Sequence, residues 1–196
     1  MTNSGALKLS SRSQETRKKI LEAARKLFAE KGYDGVSMED IAQASGVRKS
    51  LIYYYFESKE VLFEEVWIGV IEELEKELFP EVENEKSIAG AIKKLIKKYV
   101  EFTLNKSELS RLIARERMNV LENGESLSRA KGKYVSLLNR LEKIFERGKQ
   151  ENVLNDIEPS TATEIISTVD SIPRKSLIKS VEEFLLKVIL KEKVEH

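Results

Sequence analysis

"SMEDIAQASGVRKSLIYYYF", Ser37 to Phe56, holds two short helical patterns on either side of one glycine. Ser37 followed three residues later by Asp40 is a capping-box pattern, with the carboxylate placed to answer the serine, so a helix opens there. Gly46 ends it after barely two turns, and Val47 and Arg48 start the next. Two helices crossing steeply through a short turn need a small residue at the crossing, a residue tolerant of positive φ in the turn, and an apolar anchor on the second helix. Ala42, Gly46 and Ile52 supply these in order, and Ile41, Val47 and Phe56 complete a small core. The spacing is that of a helix-turn-helix. Successive helical residues turn by about 100°, so Tyr53, Tyr54 and Tyr55 cannot share one buried face. With Ile52 and Phe56 as the inward pair, Tyr54 points outward and the other two tyrosines flank it.

Outward from this core, only three prolines and nine glycines punctuate 196 residues, and apolar residues recur at spacings of three and four. An all-α chain of about nine helices is expected. The first helix runs from about Ser13 to Lys31 on an Ile20, Ala24, Leu27, Phe28 face. Ser58 opens a fourth, whose Val66, Val70 and Leu74 keep helical spacing until Pro80. Longer helices follow over approximately Ser87 to Thr103, Ser107 to Val120, Ser126 to Gln150, Ser160 to Ile172 and Ser176 to Lys193. The first dozen residues are read as disordered. No strand signal competes.

Composition removes whole classes of chemistry. The chain has no cysteine and a single histidine, His196, so thiol nucleophiles, Cys/His metal clusters and histidine acid/base catalysis are not expected, and neither is a metal or cofactor. No nucleophile or acid/base pair stands out, so an enzyme is not expected. The N-terminus lacks an apolar signal core and no run approaches the roughly 18 apolar residues of a membrane span, so the expectation is a cytoplasmic protein. Net charge is +1, but residues 1–60 carry eleven Lys/Arg against eight Asp/Glu. The positive end is the N-terminal one. In "IKKLIKKY", Lys93, Lys94, Lys97 and Lys98 read as a solvated face, with phosphate binding as the rival reading.

In a helix-turn-helix the second helix enters the major groove with its N-terminal half and outer face. Arg48, Lys49, Ser50, Leu51 and Tyr54 are therefore expected to face double-stranded DNA. A phenol packs on sugar and bonds a phosphate or base edge without adding charge.

"ILEAARKLFAEKGYDGVSMEDIAQASGVRKSLIYYYFESKEVLF", beginning at Ile20 and ending at Phe63, resembles the N-terminal region of the TetR family of bacterial transcriptional regulators. The resemblance is dense over residues 17–63. It implies a three-helix DNA-binding domain in residues 1–57 and a helical effector-binding and dimerisation domain in residues 58–196. By that likeness Ser37, Lys49, Tyr53, Tyr54, Tyr55 and Lys59 align with positions that contact phosphate or bases. Arg48 stands where the family often has serine, and Leu51 where threonine is common, which leaves the operator sequence open. "LSRLIARERM" and "IFERGKQENVLNDIEP" resemble the family's sixth helix and the end of its seventh more loosely. The last two helices are joined by only Pro173, Arg174 and Lys175, a shorter connection than the family usually shows.

The resemblance implies a ligand-responsive repressor that binds a palindromic operator as a homodimer and is released by a small, hydrophobic effector. The alternatives are a regulator of the same fold governed by a protein partner or by nothing, and an activator. Ordinary core packing is the first reading of Trp67, Tyr99, Phe102, Met118 and Tyr134. An effector pocket lined by some of them, with Phe63 and Arg115, is the second, since apolar cavities between bundle helices are a common ligand location. Arg115, Glu116 and Arg117 include at least one residue that must face inward or toward a partner. Ile165, Ile166, Val169 and Ile172 on one helix, and Leu177, Val181, Phe184, Leu185 and Val188 on the next, are wider apolar faces than one domain needs. A four-helix interface between two copies is expected from them.

Overall fold

The computed structural model describes residues 11–122, 127–172 and 175–191, the side chains of 175–179 excepted. Among these are nine α-helices: α1 (Ser11–Lys31), α2 (Met38–Ser45), α3 (Lys49–Tyr55), α4 (Lys59–Glu83), α5 (Ile88–Asn105), α6 (Ser107–Glu122), α7 (Ser128–Gln150), α8 (Pro159–Ser167) and α9 (Lys175–Ile189), with a 3₁₀ turn at Val169–Ser171 between the last two. The all-α expectation holds. The residues expected to be disordered lie outside the description up to residue 10, but Ser11 and Arg12 already belong to α1. Ser126, Pro173 and Arg174 also lie outside it. None of the described helices is long and apolar enough to cross a membrane.

Local sequence sets the boundaries. The Ser37 hydroxyl accepts from the Asp40 N–H, and the Asp40 carboxylate accepts from the Ser37 N–H at 2.8 Å, so both halves of the capping box are present. Gly46 closes α2 at φ 69°, a left-handed conformation that glycine adopts without strain. Ser58 and Ser87 cap α4 and α5 through their hydroxyls. Arg48 is the N-cap of α3 rather than its first residue.

Helix α9 ends at Ile189 rather than near Lys193, and two other boundaries differ from expectation for a visible reason. Helix α4 does not stop at Pro80 but continues to Glu83. Proline there removes one hydrogen bond and crowds the carbonyl one turn back, yet the helix runs on, and the Asn84 side chain donates to the Pro80 carbonyl at 2.7 Å, closing the extra turn. Helix α8 stops at Ser167 rather than Ile172. The Ser167 and Thr168 hydroxyls donate to the carbonyls of Glu164 and Ile165, at 2.9 and 2.8 Å, which competes with continued helix and leaves the 3₁₀ turn. The absence of strand signals also meets one small exception, an isolated antiparallel bridge between Leu154 and Leu190.

The core is continuous. Ile20, Ala24 and Phe28 of α1 pack with Ile41, Ile52, Phe56, Leu62 and Phe63, all buried. Each such large side chain contributes about 1.5–3 kcal/mol when fully removed from water. Helix α4 packs on α1 at one end and on α5 and α7 along its length, α6 packs on α1, and α9 lies on α5. Lys94 and Lys98 of α5 pair with Glu85 at 2.7 Å and Glu81 at 2.5 Å, so the lysine face is an ion-paired surface.

Candidate nucleic-acid interface

Helix α3 is held from beneath and left bare on top. Ile52 and Phe56 are fully buried, whereas Tyr54 is 74 % exposed and Tyr53 45 %. Tyr55 is half-buried: its hydroxyl shares a 2.7 Å hydrogen bond with Ser13 of α1, and its ring meets Tyr54 edge-on with centroids 5.2 Å apart. The three tyrosines therefore divide into two that face outward and one that braces α3 against α1. Arg17 of α1 lies over the Phe56 ring at 5.2 Å and pairs with Glu65 of α4 at 2.7 Å. Arg48, Lys49, Ser50 and Leu51 are all exposed at the N-terminal end of the same helix. Lys49 has only a loose pairing with Glu39, at 3.6 Å with both partners largely exposed. Such pairs contribute little and yield readily to another anion.

Ser37 and Lys59 are differently placed. The Ser37 hydroxyl is engaged in the capping box, at 2.5 Å from the Asp40 carboxylate, and that bond holds the Asp40 carboxyl below its ordinary range. The Lys59 ammonium donates to the carbonyls of Tyr33 and Val36, at 3.0 and 3.1 Å, and sits 4.2 Å from the centre of the Tyr33 ring. Tyr33 in turn donates its hydroxyl to Glu60 at 2.8 Å. Burial, then Glu60, raise the Tyr33 hydroxyl above its usual pKa. Lys59 thus ties the start of α4 to the loop between α1 and α2.

Two buried carboxylates extend that tie. Glu116 of α6 accepts the Tyr33 N–H at 2.9 Å and the Asn119 side chain at 2.9 Å. Gly32, at φ 78°, makes room for it, since a Cβ there would lie 3.0 Å from the Glu116 carboxylate. Glu64 of α4 accepts the N–H groups of Arg129 and Ala130, at 2.8 and 3.0 Å, and so caps α7 from another helix. Sequence reasoning left Glu116 among three open candidates and did not single out Glu64. The signal was there: each sits at helical spacing among buried apolar residues, Leu112, Ile113 and Val120 for one, Trp67 and Ile71 for the other.

Of the residues read as a possible pocket, Phe63, Trp67, Tyr99, Phe102 and Tyr134 are buried, and an aromatic chain runs from Tyr33 through Phe63 (4.9 Å) and Trp67 (6.2 Å) to Tyr134 (5.7 Å). Arg115 and Met118 do not join them. Both are on the exposed face of α6, Met118 with 53 % of its surface free, because that helix turns Leu112, Ile113 and Glu116 inward instead. Of the apolar residues read as an interface, Ile166, Val169 and Leu185 are buried within the chain itself, so they serve its own core. Ile165, Ile172, Val181 and Val188 are half-buried and Phe184 is 60 % exposed. Leu177 lies among the side chains not described.

Residues 20–66 match the family described as "Bacterial regulatory proteins, tetR family". Among curated relatives, the HTH-type transcriptional regulator AcrR of Shigella flexneri is 42 % identical over 62 residues, 32 % of this chain and 29 % of that protein. The biofilm operon icaADBC HTH-type negative transcriptional regulator IcaR of Staphylococcus aureus (strain Newman) is 45 % identical over 47 residues, 24 % of this chain and 25 % of that one. The chain thus matches less than a third of the length of these relatives. Over most of its length the fold is similar to that of AibR, solved in complex with isovaleryl coenzyme A and operator DNA. The TM-score is 0.74 at 17 % identity, covering 87 % of this chain and 98 % of the other.

Proposed function

We propose, from an N-terminal region that belongs to the TetR family of bacterial regulatory proteins, that the chain is a homodimeric transcriptional repressor released from its operator by a small molecule. Residues 1–57 form the DNA-binding unit and residues 58–196 the effector and dimer unit. The observation that carries this reading is the outward aromatic face of α3, with Tyr54 exposed directly above a fully buried Ile52 and Phe56 and beside Lys49. A dimer brings two such helices to half-sites about one helical turn apart or a multiple of it. Ser37, Arg48, Lys49, Ser50, Leu51, Tyr53 and Tyr54 supply the contacts. Tyr55 positions the helix, and Lys59, with two N–H groups already engaged, holds the loop beneath it.

The test is selection of bound duplex from a random pool by the purified protein, followed by titration of Tyr54→Ala on the selected site. Tyr54→Ala is expected to weaken binding by roughly tenfold or more, the loss of one good contact, with unchanged melting. Full-strength binding by that variant would remove α3 as the recognition helix. A regulator without an effector is the second reading, favoured by the close packing around Trp67, which has no exposed surface. Among the described residues, the Trp67 Nε1 inside that packing is buried without a hydrogen-bond partner, which favours the first.

A further inference from the structure

Helix α3 has only seven residues and no side-chain cap at its Arg48 end. A helix that short does not hold itself in place, so its direction depends on what grips it from outside. At its far end the grip comes from one face of α1. Ser13 and Arg17, a helical turn apart, meet Tyr55 and Phe56 in turn. The first pair shares a 2.7 Å hydrogen bond, and the Arg17 guanidinium lies 5.2 Å from the centre of the Phe56 ring. Phe56 is fully buried and closes α3, its N–H donating to the Ile52 carbonyl at 2.9 Å. Arg17 is itself fixed by the Glu65 carboxylate of α4 at 2.7 Å, and the other Glu65 oxygen accepts from Arg129 of α7 at 3.3 Å.

We propose that Arg17 is a positioning residue for the recognition helix: held by Glu65, it braces Phe56 and sets the angle at which Tyr54 and Lys49 meet DNA. Through Arg129 the same carboxylate ties that brace to α7. The proposal rests on the DNA-binding reading above and names how its contact helix is aimed. The chemistry suits arginine. A planar guanidinium turns its face to an aromatic ring while its edge bonds a carboxylate, which an ammonium cannot do. Stability is not what the pair mainly supplies. Arg17 and Glu65 keep 33 % and 28 % of their side-chain surface exposed, and partly exposed pairs contribute little. What the pair fixes is direction: without Arg17, α3 keeps the Tyr55 bond but loses the brace on Phe56. Direct binding of a phosphate by Arg17 is the rival, and the two differ in the sign of what Glu65 does. A Glu65 that drew Arg17 away from phosphate would oppose DNA binding, so its removal would tighten the complex. A Glu65 that steadies a brace supports binding, and its removal weakens the complex.

The test uses the duplex selected by the parent protein and the variants Arg17→Ala, Glu65→Ala and Arg129→Ala, the last also combined with Glu65→Ala. Arg17→Ala and Glu65→Ala change the charge in opposite directions. Each is nonetheless expected to weaken duplex binding roughly tenfold while melting within about 4 °C of the parent. Amide exchange at Phe56, read without DNA, is expected to quicken in both variants and to do so more than at Ile41 of α2, which a general loss of stability would not produce. Arg129→Ala is expected to weaken binding in the parent and to change nothing further in the Glu65→Ala background. Tighter or unchanged binding by Glu65→Ala overturns the proposal. So does full-strength binding by Arg17→Ala, or Phe56 exchange at the parent rate in either variant. Equal loss from Arg129→Ala in both backgrounds, or loss in neither, overturns the tie to α7. A parent protein that selects no duplex sinks the DNA-binding reading, while the exchange measurement still decides whether Arg17 holds α3.

Discussion

Glu116 of α6 accepts the backbone N–H of Tyr33 at 2.9 Å, across 83 residues of sequence and at the point where the chain turns from α1 toward α2. The same carboxylate holds the Asn119 side chain. Tyr33 also rests on Lys59 and Glu60, so one loop residue joins α1, α4 and α6.

Glu116→Ala leaves a part-buried N–H without its acceptor. Removing a charged partner of this kind costs about 1.5–3 kcal/mol. Glu116→Gln keeps an acceptor oxygen and is expected to recover at least half of that loss. Urea unfolding of the three proteins measures both, and amide exchange at Tyr33 should quicken in the alanine variant. Wild-type stability in Glu116→Ala would mean that water replaces the carboxylate.

Lys49 and Lys59 are both cations near α3, but they stand in different chemistry. Lys49 is loosely paired, and Lys49→Ala should leave unfolding unchanged while lowering the slope of log affinity against log salt by about one unit, the release of one counterion. Lys59 bonds two carbonyls, and Lys59→Ala should lower stability by about 1–3 kcal/mol. A lysine that bound phosphate alone would show the first pattern at both positions, and that outcome would overturn the assignment of Lys59 to the loop.

The helix-turn-helix was legible because its signals are local. A capping box and a left-handed glycine act within four residues, and Ser37, Asp40 and Gly46 do in the structure what their spacing implies. The outward turn of Tyr54 followed from the helical angle alone. Partners distant in sequence were not legible. Glu64 meets N–H groups of Arg129 and Ala130, and nothing near Glu64 in the chain points to them. Asp170 is buried because α8 breaks at Ser167, and the apolar spacing of Ile165, Ile166, Val169 and Ile172 runs straight through that break. The same spacing overstated the interface. An amphipathic face gives no sign of whether its own chain or a second copy covers it.

Leu185 and Phe184 are neighbours on α9 with opposite surroundings, one buried and one 60 % exposed. Phe184 shares an outward stripe with the half-buried Val181 and Val188. If that stripe meets its copy in a dimer, Phe184→Glu should yield a monomer with native helical content by sedimentation at micromolar concentration. Leu185→Ala should instead lower stability by about 2–5 kcal/mol, as a core truncation does. A Phe184→Glu protein that remains dimeric would move the interface off α9.

Asp170 offers a pH dependence whose sign is fixed by its surroundings. Burial pushes its carboxyl up to about 7, and Arg117, already bonded to the Ser167 carbonyl, offsets this only in part. Tyr134 nearby is itself raised to about 12 and Tyr99 is raised as well, first by burial, so neither ionises in the range that matters. Because the folded pKa lies above the ordinary carboxyl value, the native state keeps a proton that the unfolded chain releases between about pH 4 and pH 7. Stability from this group is therefore greatest in acid and declines as pH rises through 7. Asp40 and Glu60 act in the opposite sense, lowered mainly by the Ser37 and Ser58 hydroxyls, but they are common to parent and variant and cancel in the comparison. Asp170→Asn removes the decline, so its stability relative to the parent should grow by about 2 kcal/mol between pH 5 and pH 8. Urea unfolding at fixed protein concentration across that range measures the difference, and parallel curves for the two proteins would mean that Asp170 gains a partner in solution.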